Sequence, residues 1–243
     1  MPAADLARLP REFYARAARD VAPELLGCVL EHETADGLVA VELTEVEAYA
    51  GDADPASHAY RGMTARNAVM FGPPGHVYVY FTYGMHFCVN IVCGAPGVAV
   101  AVLLRAGRVI VGEDLARSRR AARPGAPGRT ARAIAARDLA RGPARLCQAL
   151  AIDREQNGAD LCAPASLIRL RGPAAHSSRL ADIPTIATGP RVGVRMGAEI
   201  PWRFWTVGDP TVSVYRPHVA RERRPIEATG SRVARAGTDN TKP

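Results

Sequence analysis

Glu45 and Glu47 stand two residues apart in Thr44-Glu45-Val46-Glu47-Ala48-Tyr49. On a strand that spacing puts both carboxylates on one face with Cβ atoms roughly 7 Å apart. A partly buried carboxylate with a raised pKa can act as a general base toward water. A salt-bridged structural glutamate gives the same pattern, so both readings are open from the pair alone. Arg105 follows the apolar run Val98 to Leu104 and so emerges at the end of a buried strand, where it can hold a carboxylate and its water or simply neutralise an acid. Tyr78, Tyr80, Phe81, Tyr83, His86 and Phe87 fall within ten residues of a chain with only 6% aromatics. Such a stripe is ordinary sheet core, or it is a tyrosine-lined slot that stacks on a flat purine and favours a cationic one. His58 lies in the loop after the Glu47 strand, where a surface histidine is the plain expectation, and it has no metal-ligand spacing around it. No metal site, phosphate loop or G-x-S-x-G nucleophile elbow is present in the sequence.

The elements that must position these groups are mostly strands. Residues Pro10 to Asp20 read as a short helix, and Cys28-Val29-Leu30 as a first strand. From Leu38 to Tyr49 the residues Val39, Val41, Leu43, Glu45, Glu47 and Tyr49 share one parity, so the two carboxylates are expected to continue the apolar face. A polar loop spans Gly51 to Gly75, followed by β-rich runs at His76 to Tyr83, Met85 to Cys93 and Val98 to Arg105, with Gly84, Gly94 and Gly97 at the turns. Helices are expected over Val111 to Arg119 and, opened by Gly142-Pro143, over Ala144 to Ala151. The Arg/Pro/Gly stretch through Gly128 between them reads as a mobile surface loop. Further strands are predicted at Arg191 to Arg195, Phe204 to Val207 and Val212 to Tyr215. The reading is one domain over residues 1–220 and a basic, disordered tail over 221–243.

Composition narrows the function class. The 243 residues carry a net charge of +7 with a pI near 9.5, which suits a polyanionic partner. The charge is local: Arg117 to Arg145 holds nine arginines and one acid, Asp138, so this segment carries +8 and the remainder about −1. Lys242 is the only lysine against thirty arginines, a skew that coding composition can also produce. The apolar run Val98 to Leu104 is the longest and falls far short of the roughly 20 residues that span a bilayer. No membrane partner is expected, and without an apolar segment after Met1 a cytoplasmic location is expected. Cys28, Cys88, Cys93, Cys147 and Cys162 are odd in number and lack C-x-x-C pairing, so they read as buried thiols.

Taken in order, Thr44 to Tyr49, His58, Tyr78 to Asn90, Leu103-Leu104-Arg105, Gly142 to Leu150 and Arg191-Val192-Gly193-Val194 resemble the alkyladenine (3-methyladenine) DNA glycosylase family over roughly residues 9 to 215. The resemblance implies a metal-free, cofactor-free enzyme that flips alkylated or deaminated purines, 3-methyladenine and hypoxanthine among them, out of double-stranded DNA. It then hydrolyses the N-glycosidic bond. It implies an α+β fold, a single mixed domain with a curved antiparallel sheet and flanking helices, resembling the C-terminal domain of methionyl-tRNA formyltransferase. By the same resemblance Glu47 is the general base and Arg105 helps hold its water, while Tyr49, His58 and Tyr80 clasp the flipped base. Asn90 would exclude guanine through its exocyclic amine, Tyr78 would support His58, and Tyr83 at the hairpin tip would wedge into the duplex. A monomer without strand-cleaving lyase activity is expected, associated with the nucleoid through DNA. Two departures from the family pattern stand out: Ala121 to Ala136 is richer in Arg, Pro and Gly, and His86 sits where an aromatic such as tyrosine is expected.

Two other readings compete. A non-catalytic nucleic-acid-binding module would need only the Arg117 to Arg145 segment, but would have no use for Glu47 and Arg105. A hydrolase of free nucleosides would need neither the basic segment nor Tyr83.

Overall fold

Valine, isoleucine and leucine at alternate positions, broken by glycine turns, give nine antiparallel strands among the described residues, and these form one open sheet. The computed structural model describes residues 7–82, 84–122, 134–173 and 185–218. The stretch 123–133, which contains the Arg/Pro/Gly loop, and the tail 221–243 lie outside the described residues, as does Tyr83. The strands are β1 (Cys28–Thr34), β2 (Gly37–Ala50), β3 (Val77–Thr82), β4 (His86–Cys93), β5 (Val100–Val111), β6 (Ala140–Arg141), β7 (Ile168–Pro173), β8 (Ile186–Gly189) and β9 (Arg203–Thr206). They run in the order β3-β4-β5-β2-β1-β7. The 14-residue β2 is long enough for its first half to pair with β1 and residues 45–47 to pair with β9. Among the described residues four α-helices, α1 (Arg11–Tyr14), α2 (Ala18–Glu24), α3 (Glu113–Ala121) and α4 (Pro143–Leu150), complete a mixed α+β fold.

The cross-strand register defines two faces. The row Val77, Ile91, Val102 and Ala48 faces the main core, where it meets Tyr14 of α1, Val21 and Ala22 of α2, and Leu146, Cys147 and Leu150 of α4. The adjacent row Tyr78, Asn90, Leu103, Glu47 and Arg203 faces the other way, because successive strand residues point to opposite faces. A smaller cluster of Ala59, Met70, Tyr78, Val92, Ala99 and Ala101 closes that second side.

A pair of bulges overturns the expected single parity of β2. Leu43 pairs with Gly107, Glu45 with Ala106 and Val46 with Leu104, so Thr44 is the extra residue on one strand and Arg105 on the other. The core face is therefore Val39, Val41 and Leu43 before the bulge, then Val46 and Ala48 after it. Glu45, Glu47 and Tyr49 leave the apolar face instead of continuing it. Bulges re-aim side chains in this way. The same irregularity places Arg105 mid-strand, not at a strand end, since β5 continues to Val111. Gly107 lets the strands approach closely: a Cβ there would lie 2.4 Å from the Glu42 carbonyl oxygen.

Other expectations are corrected more simply. Pro10 to Asp20 forms two helices, with a break between Tyr14 and Ala18. Arg191 to Arg195 and Val212 to Tyr215 form turns and extended loop without strand pairing. Cys162 is half-buried, while the other four thiols are buried.

Candidate active site

On the face opposite the main core, the sheet and two loops enclose a cavity of about 490 Å³. Strand periodicity supplies its floor: Tyr78 and Tyr80 from β3, Cys88 and Asn90 from β4, and Ala101, Leu103 and Arg105 from β5. Tyr49 enters from the end of β2, Ser57 and His58 from the following loop, Pro143 and Ala144 from the start of α4, and Val192 to Met196 from the loop before β9.

Glu47 is fully buried just behind this wall. Its Oε2 accepts the Tyr49 hydroxyl hydrogen bond at 2.8 Å and forms an ion pair with Arg105 Nη1 at 3.2 Å. Its Oε1 accepts the Val192 backbone N–H at 2.7 Å. Tyr49, Arg105 and Val192, which hold the carboxylate, all line the cavity. Burial, and then the Glu47 charge, hold the Tyr49 phenol well above its ordinary pKa, so it remains a donor at neutral pH. Burial alone would lower the Arg105 pKa, but Glu47 and Glu45 outweigh it and raise it.

Glu45 is equally buried and differently engaged. Its Oε1 accepts from Arg105 Nε at 2.8 Å, Arg203 Nε at 2.7 Å and the Ser213 hydroxyl at 2.9 Å, and its Oε2 accepts from the Ser213 N–H at 2.7 Å. Burial pushes its pKa up, yet the Arg105 and Arg203 guanidiniums and the Ser213 donors more than reverse that and hold it low.

The aromatic wall is a connected set. The His58 ring meets Tyr80 edge to face at 4.3 Å, and its Nδ1 lies 3.3 Å from the Tyr78 hydroxyl. Tyr78 and Tyr80 stack at 5.7 Å. Burial, and then the nearby Arg66 charge, lower the His58 pKa, which keeps the ring neutral at pH 7. Burial raises the Tyr80 pKa, helped by Cys88. The Asn90 amide is oriented by donating to the Tyr78 carbonyl at 3.1 Å. The structure thus brings Glu47, Arg105, Tyr49, His58, Tyr78, Tyr80 and Asn90 around one cavity.

Sequence reasoning missed several groups. Arg203 and Ser213 saturate Glu45, the Val192 N–H holds Glu47, and Arg191 forms a wholly buried ion pair with Asp54. Asp54 carried no signal beyond its place in the polar loop from Gly51 to Gly75. Arg191 and Val192 belonged to a recognised motif, but a backbone N–H role leaves no trace in residue type. Among the described residues, no group of three or more His, Cys, Asp and Glu side chains is placed to hold a metal ion, and no helix is long and apolar enough to cross a membrane.

Comparison with known proteins accords with this geometry. The profile of the Methylpurine-DNA glycosylase family matches residues 12–210. A Streptomyces avermitilis protein is 54% identical over 224 residues, covering 91% of this chain and 98% of its own. A Leifsonia xyli subsp. xyli protein is 49% identical, over 88% and 96% of the two chains. One from Nocardia farcinica is 51% identical over 80% and 85%. Each of the three carries the name "Putative 3-methyladenine DNA glycosylase".

Proposed function

The chain belongs to the methylpurine-DNA glycosylase family and is a DNA glycosylase acting on damaged DNA, and from that premise we propose that Glu47 activates the hydrolytic water. The observation that carries the proposal is the setting of the Glu47 carboxylate, buried directly behind a cavity walled by tyrosines and His58 and held by three groups that line it. Each carboxylate oxygen can accept two hydrogen bonds. Among the described residues Oε1 accepts only from the Val192 N–H, which leaves capacity for a water. Glu47 accepts a proton from that water, whose oxygen attacks C1′ of the deoxyribose, and the electron pair of the N-glycosidic bond leaves with the purine. Arg105, ion-paired with Glu47, holds the water.

The substrate reading is a purine flipped from duplex DNA, with Tyr83 filling the gap in the stack. Tyr49, His58 and Tyr80 clasp the base, Tyr78 orients His58, and Asn90 sterically excludes the guanine amine. A 3-methylated purine is already cationic, so aromatic walls favour it and it departs neutral. Hypoxanthine is neutral and must gain a proton on leaving, and substrate breadth follows from that difference. Among the described residues there is no lysine to form a Schiff base, and the proposal includes no strand cleavage. The same proposal includes a monomer with one glycosylase domain over residues 1–220 and a basic tail over 221–243, a cytoplasmic place on the nucleoid, and a sheet like that of the methionyl-tRNA formyltransferase C-terminal domain. Being a glycosylase, the chain is not a binding module alone.

Single-turnover release of base from duplexes containing 3-methyladenine or hypoxanthine, with EDTA present, tests the reading. Wild-type release that collapses in Glu47→Gln with lesion binding retained is expected. Undiminished release by Glu47→Gln would overturn it.

A further inference from the structure

We infer that the buried Asp54–Arg191 pair is a positioning device for the reaction, setting the two groups, Tyr49 and Val192, that hydrogen-bond to Glu47. The inference rests on the proposed role of Glu47 and adds residues to it.

Arg191 and Asp54 have no exposed side-chain surface. The guanidinium donates from Nη1 to Asp54 Oδ2 at 2.5 Å and from Nη2 to Oδ1 at 2.8 Å, a bidentate fork. Its remaining bonds go to the Ala48 carbonyl at 3.0 Å and the Gly197 carbonyl at 3.3 Å. The guanidinium carbon lies 4.7 Å from the centre of the Tyr49 ring and 5.4 Å from that of Trp202. Asp54 also accepts from the backbone N–H groups of Ala50 and Ala56, at 3.2 and 3.0 Å.

These contacts bracket the Glu47 carboxylate on both sides. The Ala48 carbonyl and Ala50 N–H lie immediately before and after Tyr49, so the pair fixes the backbone on each side of that residue while the guanidinium packs on its ring. The tyrosine then has one orientation, with its hydroxyl 2.8 Å from Glu47 Oε2. Val192 follows Arg191 directly, so anchoring Arg191 also fixes the N–H that meets Oε1 at 2.7 Å. Asp54 ties the same assembly to the loop that carries His58.

A purely stabilising role accounts for this less well. A buried ion pair is a poor source of net stability compared with apolar packing. Arg191 Nε, moreover, is buried without a hydrogen-bond partner among the described residues, so the guanidinium sits where Asp54, the two carbonyls and the rings require it, at the expense of its own satisfaction. Arg191 touches neither the reacting atoms nor the base and acts through Tyr49 and Val192.

The test is a double-mutant cycle on full-length protein, using Arg191→Lys and Tyr49→Phe. Single-turnover base release at saturating enzyme is read alongside affinity for lesion DNA and melting temperature, with Glu47→Gln run in parallel. Losing one charge-assisted hydrogen bond to Glu47 corresponds to roughly a ten- to hundredfold slower step. Arg191→Lys should slow release by at least about tenfold, with a smaller loss of lesion affinity because Tyr49 also lines the cavity. The double variant should be little slower than the slower single one, since both disturb the same interaction. Effects that multiply, or a rate unchanged while the melting temperature falls, would overturn the inference. If Arg191→Lys does not fold, the near-isosteric Asp54→Asn takes its place in the cycle, read by the same criteria. Collapse of Glu47→Gln with multiplying effects removes the positioning role and leaves the base intact; a wild-type rate in Glu47→Gln removes both.

Discussion

Replacing Glu45 by glutamine tests whether the buried charges balance as the geometry requires. Glu45 and Glu47 face Arg105 and Arg203, four buried ionic groups that sum to zero. Glu45→Gln leaves two guanidiniums against one carboxylate. It also turns an acceptor into a donor, since the amide oxygen is drawn to the three donors at the Oε1 position and the NH2 group then confronts the Ser213 N–H. Breaking a buried pair by removing one partner costs about 3–5 kcal/mol. At a urea slope near 2 kcal/mol/M the unfolding midpoint should fall by about 2 M. The pH dependence has a defined sign. The folded-state pKa of Glu45 is depressed, so its ionised form contributes stability that is fully present above the unfolded value of about 4.3 and is lost as pH falls through the folded value. Urea titrations of both proteins from pH 7 downward should show a constant gap that narrows only below about pH 4.3. A gap under about 1 kcal/mol at pH 7, typical of exposed pairs, or one unchanged by acid, would refute the reasoning.

The exposed counterpart, Arg108 with Glu42 at 2.9 Å, supplies the contrast: Glu42→Gln should shift the same urea midpoint by less than about 1 kcal/mol equivalent. Gly107→Ala must push a Cβ into the Glu42 carbonyl oxygen and Val41, each 2.4 Å away, and should cost about 1–3 kcal/mol in chemical denaturation. His58, depressed by burial first and by Arg66 second, should titrate in NMR below about 6.5. Arg66→Ala should raise that midpoint only partway, and charging the buried ring below about pH 6.5 should cost folding stability. Arg137, Arg141 and Arg145 converge on the single carboxylate of Asp138, so neutralising all three should weaken damaged and undamaged DNA binding alike. The slope of log affinity against log salt should become shallower by about 0.9 for each phosphate that is no longer neutralised; an unchanged slope would remove this cluster from the interface.

The period-two pattern made the β3–β4 hairpin and most of β5 legible, because Tyr78 and Tyr80 alternate with Val77 and Val79 as the two faces of the sheet do. The Glu45–Glu47 pair was legible as a shared face but not as the correct face. The apolar positions themselves change parity, from Val39, Val41 and Leu43 to Val46 and Ala48, as the bulge at Thr44 requires, and following one parity through to Tyr49 passes over that switch. Thr44, whose hydroxyl meets that of Thr211 at 2.7 Å, marks the break. The valine-rich segments Arg191 to Arg195 and Val212 to Tyr215 misread as strands for a related reason. β-Branched residues favour extended backbone, but extended backbone becomes a strand only if its N–H groups find a neighbouring strand. Here the Val192 N–H goes to Glu47 and the Ser213 N–H to Glu45. Those partners lie 145 and 168 residues away, a distance that local pattern does not report.

The two glutamates show how one bulged strand supports opposite roles two residues apart. Pairing with β9 places them opposite Trp205 and Arg203 without a register shift, so they keep the same face, and their difference comes from what surrounds each head group. Glu45 has four hydrogen-bond donors, two of them cationic, and a carboxylate so satisfied has little tendency to take up a proton. By neutralising part of the Arg105 charge, Glu45 allows that guanidinium to stay in a buried wall and still reach Glu47 with Nη1. Glu47 has two hydrogen bonds and that one ion pair, and each group holding it faces the cavity. Removing Glu45 would therefore leave Arg105 to collapse fully onto Glu47 and take up the capacity a water needs, whereas removing Glu47 leaves the same two guanidiniums against one carboxylate but keeps both Glu45 ion pairs and the two Ser213 hydrogen bonds in place. The asymmetry predicts that Glu45→Gln loses stability and activity together, while Glu47→Gln loses activity with a smaller loss of stability.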